Sequence, residues 1–223
     1  MKKQLIAMVS ALAMTFASLP CVSIAAENVP KPVLQYTFDG NKQLADQNGK
    51  NELKLSGGAS VTDDGNKGKG LLLDGTDGYA ELPDNILSSD MTITTWVKIN
   101  KFTTWGRVFD FGTDSNQNFF FAPYSGGASR VEIKNGATVD TMDCTQETAK
   151  DWVNYAITIK GDTVSYYRNG RLIKSKSGIK DISELTNTAN YIGKSHYDGD
   201  AYLSAVVDDF RVYNTALSQA EIL

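Results

Sequence analysis

The sequence predicts an all-β fold, a two-sheet antiparallel β-sandwich of jelly-roll type, on three observations. Short runs rich in β-branched and aromatic residues recur along the chain, separated by Gly, Asn and Asp. Two Asn-Gly pairs, Asn135-Gly136 and Asn169-Gly170, sit between such runs, where a two-residue hairpin turn needs positive φ. No helical pattern is long enough to cross over between parallel strands, so pairing is expected to be antiparallel.

The chain opens MKKQLIAMVSALAMTFASLPCVSIAAEN, with Lys2 and Lys3 before an apolar run from Leu5 to Leu19 and then the small residues Ser23, Ala25 and Ala26. This is the pattern of a secretory signal peptide, expected over residues 1–26 and excluded from the fold. Pro20 directly before Cys21 fits a lipid-anchoring site poorly. Residues 27–223 then form one domain, long enough for a single sizeable core. Strands are expected at VLQYTF (33–38), MTITTWVKI (91–99), RVFDF (107–111), NFFFA (118–122) and RVEIK (130–134). Further runs are WVNYAITIK (152–160), TVSYYR (163–168), RLIKSK (171–176) and AVVDDFRVY (205–213). DISEL (181–185) suits a single helical turn, and Ser218 with Glu221 forms a capping-box pattern. That cap stands so close to Leu223 that one module of a longer protein, or a truncated reading frame, is the expectation.

Alternation along the last strand groups Asp208 with Phe210 and Val212, and Asp209 with Arg211 and Tyr213. Asp208 is therefore expected to point inward, where a carboxylate must be paired, hydrogen-bonded or bound to a metal. Trp96, Trp152 and Phe109 to Phe111 lie within strand patterns and are expected in the core.

The 223 residues carry a net charge of −4, which becomes −6 when the leader takes away two lysines. Without Lys/Arg clusters such a chain has little attraction for nucleic acid or an anionic membrane. Beyond the leader no run approaches the roughly 20 apolar residues that span a bilayer, so a secreted, extracellular protein is expected. Losing Cys21 leaves Cys144 alone, an inert thiol, and no internal disulfide.

Catalytic signatures are sparse. One histidine, His196, excludes a multi-histidine zinc site, and its neighbour Ser195 would point away from it in an extended segment. No Glu-x-Asp-x-Glu or Glu-x-Asp-x-x-Glu pattern, which would set paired catalytic carboxylates along one strand for glycoside hydrolysis, occurs. Glu81 in ELPD and Glu132 in RVEIK stand singly and read as solvated strand edges. No glycine-rich phosphate loop joins a strand to a helix.

Taken in order, QYTFDG (35–40), KGLLLDGTDGYAELP (69–83), MTITTWVKI, WGRVFDFG (105–112), DWVNYAITIKGDTVSYYRNGRLI (151–173), YIGKS (191–195) and VVDDFRVYNTALSQAEI (206–222) carry a resemblance. Together they resemble the laminin-G-like, concanavalin A-like jelly-roll module that bacteria attach to secreted glycosidases. WGRVFDFG and the segment from Tyr191 to Asn214 are similar to versions found beside arabinan- and xylan-degrading catalytic domains. The resemblance implies a non-catalytic carbohydrate-binding accessory module whose partners are a polysaccharide or glycan and a catalytic glycosidase domain. It also implies a structural calcium, held by Asp208 at the start of the last long strand with Asp39 and the carbonyls around Gly40. Calcium takes six to eight oxygen ligands, which carboxylates, carbonyls and water would supply. The alternative is that Asp208 accepts backbone N–H bonds at a strand bend without metal. Asp46 in ADQNGKN reads as a turn former.

Sugar rings dock on aromatic faces flanked by polar groups, so aromatics in irregular segments are the candidates. These are Trp105, Tyr124, His196 and Tyr197, with Arg107 and Arg130 as hydrogen-bond donors. Two other functions stay open. A glycoside hydrolase or polysaccharide lyase would need paired acidic or Tyr/His groups in one groove, for which His196 with Tyr197 is the one hint, and a protein-interaction or adhesion module would show an exposed apolar patch.

Overall fold

In the computed structural model, which describes residues 29–222, the chain forms two antiparallel sheets of eight and seven strands. The expected leader lies outside the described residues. The strands are β1 (Leu34–Tyr36), β2 (Lys54–Ser56), β3 (Ser60–Thr62), β4 (Gly70–Asp74), β5 (Tyr79–Leu82), β6 (Met91–Lys101), β7 (Phe109–Asp114) and β8 (Gln117–Ala122). They continue as β9 (Ala128–Asn135), β10 (Thr138–Thr145), β11 (Val153–Lys160), β12 (Thr163–Arg168), β13 (Arg171–Ser177), β14 (Ala189–Ile192) and β15 (Ser204–Tyr213). DISEL forms a single 3₁₀ turn at Ile182–Glu184, capped by the Asp181 carboxylate on the Ser183 N–H.

The eight-stranded sheet runs β13-β12-β11-β6-β15-β4-β3, with β1 also on β15; the other runs β10-β9-β8-β7-β14-β5-β2. Alternate residues from both inner faces fill the space between: Ile93 and Val97 from β6, Tyr155 and Ile157 from β11, Phe109 and Phe111 from β7, Phe119 and Phe121 from β8. Each such side chain contributes about 1.5–3 kcal/mol by leaving water.

The same alternation builds a continuous outer row across the seven-stranded sheet. Strand register aligns Lys54 with Glu81, Glu81 with Tyr191, and Tyr191 with Asp110. It then aligns Asp110 with Phe120, Phe120 with Glu132, and Glu132 with Thr141. Residues in register share a face, so this charged and aromatic row projects away from the core.

Strand β15 corrects the expected alternation. Asp208 pairs with Trp96 and Arg211 with Thr94, with a bulge between, and Asp209 takes φ +47°. The extra residue turns Asp208 to the outer side with Trp96, while Phe210 and Val212 return to the core. On its other edge β15 pairs with β4 over Ser204–Val207 and with β1 over Phe210–Val212. Asp208 falls at the gap between those partners. Its carboxylate fills the gap by accepting the Lys67 N–H at 3.0 Å and the Asp209 N–H at 2.6 Å.

Other expectations shift locally. Trp96 and Trp152 are half-buried on the outer side of the large sheet rather than in the core, and Lys98 lies 5.5 Å from the Trp152 ring. Asn169-Gly170 forms the expected turn, with φ +48° and +70° between Arg168 and Arg171. At the other hairpin Asn135 is still paired, with Thr138, and only Gly136 takes positive φ, so the loop is Gly136-Ala137. Asp46 is the turn former expected, its Oδ1 accepting the Lys50 and Asn51 N–H groups.

Candidate functional site

Arg107 was expected inside a strand, yet β7 begins only at Phe109, and the preceding loop delivers Trp105 and Arg107 over the outer face of the seven-stranded sheet. Trp105 occupies the left-handed region at φ +68°, a costly conformation for a side chain of this size. Two backbone bonds hold it there: its N–H donates to the Tyr124 carbonyl at 3.0 Å, and the Gly106 N–H closes a turn onto the Thr103 carbonyl at 3.1 Å.

Beneath this loop lies a cavity of about 220 Å³, lined by Trp105, Arg107, Phe120, Arg130, Glu132, Tyr197 and Asp200. Phe120 is its floor, and the Arg107 guanidinium stacks on that ring at 3.5 Å. Trp105 and Tyr197 stand half-buried around it, their rings 5.2 and 5.9 Å from the same guanidinium. Arg130 approaches Trp105 to 5.1 Å and pairs with Asp143 through Nε at 2.7 Å. Glu132 accepts a hydrogen bond from Thr141 at 3.1 Å.

Arg107 is 2% exposed, and burial pulls its guanidinium below the ordinary arginine range against the attraction of Asp110, Asp200 and Glu132. Its Nη2 donates to Asp200 at 2.9 Å, and Asp200 also accepts the Ser195 hydroxyl at 2.8 Å. Nε lies 3.6 Å from Asp110, beyond a normal hydrogen bond, and neither Nε nor Nη1 has a hydrogen-bond partner among the described residues. The cavity therefore presents aromatic faces, carboxylates that accept and guanidinium groups that donate, around a charge-balanced centre.

Of the sequence-selected residues, the fold brings Trp105, Arg107 and Tyr197 together with Arg130. His196 sits behind them. Its side chain is 4% exposed, with Nδ1 on Asp110 at 2.8 Å and Nε2 against the Ala189 carbonyl at 2.9 Å, so both ring nitrogens are engaged by the fold. Tyr124 stands outside the cavity lining, its ring packed on Phe102 at 6.0 Å while its carbonyl holds Trp105. Glu132, expected at a solvated edge, is 8% exposed and lines the cavity. Glu132 and Phe120 were readable by alternation: Val131 and Ile133 face the core, and the middle of three consecutive phenylalanines must face away from it. The other end of the outer row, at Lys54, Glu81 and Tyr191, forms a wider depression of about 580 Å³, but Tyr191 is the single aromatic in its lining.

The expected metal residues meet at one loop. Asp39 accepts the Lys69 N–H at 2.9 Å, and Asp208 grips Lys67 two residues earlier. A Cβ on Gly68 would stand 2.4 Å from the Asp39 carboxylate, so only glycine allows this approach. Phe38, Gly40 and Asp209 flank the two carboxylates with φ of +60°, +71° and +47°. Asp208 is 2% exposed, and burial raises its carboxyl above the ordinary range despite the Lys67 and Asp209 N–H groups. No group of three or more His, Cys, Asp or Glu gathers at a common point among the described residues, so a cation here would draw on carbonyl oxygens as well. The Asp208 carboxylate thus has backbone N–H partners at the bulge, as the metal-free alternative requires, and any cation would have to share it with them.

A family model described as the Concanavalin A-like lectin/glucanases superfamily matches residues 74–223. An α-L-arabinofuranosidase of Bifidobacterium longum subsp. longum is 28% identical over 201 residues, covering 79% of this chain and 18% of the relative. The chain thus spans about a fifth of that protein's length. Among solved structures, domain 4 of AbnA, a GH43 extracellular arabinanase from Geobacillus stearothermophilus in complex with arabinotriose, superposes with a TM-score of 0.76 at 22% identity. That match covers 86% of this chain and 96% of the domain. The binding domain of Paraclostridial Mosquitocidal Protein 1 superposes with a TM-score of 0.65 at 18% identity, covering 86% of this chain and 50% of that one.

Proposed function

The chain belongs to the concanavalin A-like lectin/glucanase superfamily, and on that premise we propose that it is a secreted, non-catalytic carbohydrate-binding module of a glycoside-degrading system. The observation that carries this reading is Trp105, held in a left-handed backbone conformation beside Tyr197 at a cavity whose remaining lining is Arg107, Arg130, Glu132, Asp200 and Phe120. An indole and a phenol offer ring faces to the apolar side of a sugar, and the ion-paired polar groups accept and donate to its hydroxyls without net charge. The relative's description as an arabinofuranosidase and the arabinotriose bound to the arabinanase domain favour arabinose-containing chains as ligand.

The engagement of the carboxylates supports binding over catalysis. Asp200 accepts from Arg107 and Ser195, and Glu132 from Thr141 and, at 3.4 Å, Arg130. Hydrolysis needs one carboxyl to give up a proton, and both of these are surrounded by donors. His196, the residue a lyase would use, has both ring nitrogens committed. An adhesion surface is disfavoured because the exposed large apolar residues among those described are Val29, Val33, Val139 and Leu172, none of them aromatic. Asp39 and Asp208, with nearby carbonyls, would hold calcium as a clip between the segments after β1 and within β15.

The test is thermal unfolding in EDTA, in calcium, and in calcium with arabinan, xylan and host oligosaccharides, since a ligand that binds only the folded state raises its stability. Trp105→Ala is expected to weaken glycan binding by about tenfold or more while leaving the calcium response intact. A panel in which no glycan stabilises the protein removes the binding reading. Release of reducing sugar that disappears in Glu132→Gln would replace it with a hydrolase.

A further inference from the structure

The outer face of the eight-stranded sheet, opposite the Trp105 cavity across the core, carries a second cavity of about 330 Å³. Trp96, Asn154, Asn169, Asp209, Arg211 and Tyr213 are among the residues that frame it. Register explains how they meet: Asn154 on β11 and Asp208 on β15 both pair with Trp96 on β6, and the β15 bulge brings Asp209 and Arg211 to the same side.

Three features here are unfavourable for folding alone. Asn154 is 9% exposed, yet its Oδ1 has no hydrogen-bond partner among the described residues, which costs about 1–3 kcal/mol of desolvation. Asp209 is held at φ +47°, away from the ordinary strand region. Trp96 leaves part of its indole in water on a face where a smaller polar residue would serve the sheet. Arg211 meets Asp209 through Nε at 2.8 Å and through Nη2, and Gln35 donates to the same carboxylate at 2.9 Å. The pair is thereby fixed and close to neutral.

We propose that this cavity is a second carbohydrate site, taking one or two rings of a neutral oligosaccharide. The ring face lies on Trp96, a hydroxyl donates to the Asn154 amide oxygen, and neighbouring hydroxyls bridge Asp209 and Arg211. Leu217 and Ile222, which pack with Ala156 and Tyr213, supply an apolar wall. The choice of ligand class rests on the glycan-binding reading above, whereas the location stands on its own observations.

The chain has three tryptophans, Trp96, Trp105 and Trp152, so its indole N–H signals are readily assigned in ¹H–¹⁵N spectra. Titrating the full chain with arabinotriose and xylotriose, with calorimetry in parallel, separates the two sites. Expected are shifts of the Trp96 and Trp105 indoles with Trp152 unmoved, and a stoichiometry of two that falls to one in Trp96→Ala. Asn154→Val is expected to weaken the Trp96 titration by about tenfold while the Trp105 titration is unchanged, a readout that does not need the tryptophan removed. If Trp105 responds and Trp96 does not, the second site is overturned and the first reading stands. If Trp96 responds and Trp105 does not, the second site stands and the first placement fails. Silence at both overturns both.

Discussion

At the residue scale, burial of Asp208 makes the stability of the fold depend on pH. Burial raises its carboxyl above the ordinary range, so the folded state holds that proton more tightly than the unfolded chain does. Its contribution therefore favours the fold at low pH and is lost as pH rises through the raised value, opposite to an ion-paired aspartate. Calcium bound here, as proposed, would reverse the balance, because the ligand must be the carboxylate and binding would expel the proton. The calcium-dependent rise in Tm is thus expected to be full near neutrality and to fade on acidification before pH reaches the ordinary aspartate range of about 3.9. Thermal melts with and without calcium across that interval check this. An increment that survives unchanged in Asp208→Ala would rule out Asp208 as a ligand. The sequence pointed to this residue as buried but assigned it the wrong face, because a bulge carries no mark in a run as regular as VVDDFRVYN. Trp105 and Tyr197 were legible as aromatics in irregular segments, whereas Arg107 was read as a strand residue; that His196 would turn inward onto Asp110 depends on the packing of β7 against β14.

At the element scale, the segment between β10 and β11 is anchored by one side chain. Glu147 is buried, its Oε1 accepting the Thr148 and Ala149 N–H groups at 2.8 Å and its Oε2 the Tyr155 hydroxyl at 3.1 Å and Arg168 at 3.2 Å. Burial works against its ionisation, but these donors outweigh it and hold the carboxyl below the ordinary range. A depressed carboxyl contributes stability that is present above its unfolded value of about 4.3 and lost as pH falls through the folded one. Glu147→Gln is expected to cost about 2–3 kcal/mol at neutral pH, because a charge-assisted bond to Arg168 is lost and a donor is forced among donors. The same substitution should flatten the acid limb of stability below about pH 4.3, which urea melts across pH would record. An unchanged acid limb would mean that other carboxylates govern it. Strands such as β8 and β11 were legible because burial on both faces makes them short runs rich in aromatic and β-branched residues. Strand β10, TVDTMDCT, was not: it is an edge strand with Met142 as its one buried residue, so its pairing with β9 supplies the order that its own pattern lacks. Three-residue strands such as β2 and β3 exist only because longer neighbours template them.

At the scale of the whole molecule, charge decides what kind of chain can reach the two faces. The protein carries a net charge of −4, and its cationic groups at the Trp105 cavity are matched within reach, Arg107 by Asp200 and Arg130 by Asp143 and Glu132. On the opposite sheet Arg211 is matched by Asp209. Among the described residues each guanidinium that lines the two cavities is ion-paired, so these groups give little long-range attraction for a polyanion and a neutral chain meets no unpaired guanidinium there. Affinity for arabinotriose is therefore expected to change less than about twofold between about 20 and 500 mM NaCl, a range over which the screening length shrinks severalfold. Polygalacturonate, an acidic polysaccharide, is expected not to bind at the low-salt end, where attraction would be strongest. Calorimetry at the two salt concentrations measures both. A steep loss of affinity with salt would mean that Arg107, Arg130 or Arg211 exchanges its protein partner for a ligand anion, and the natural partner would then be an acidic polysaccharide.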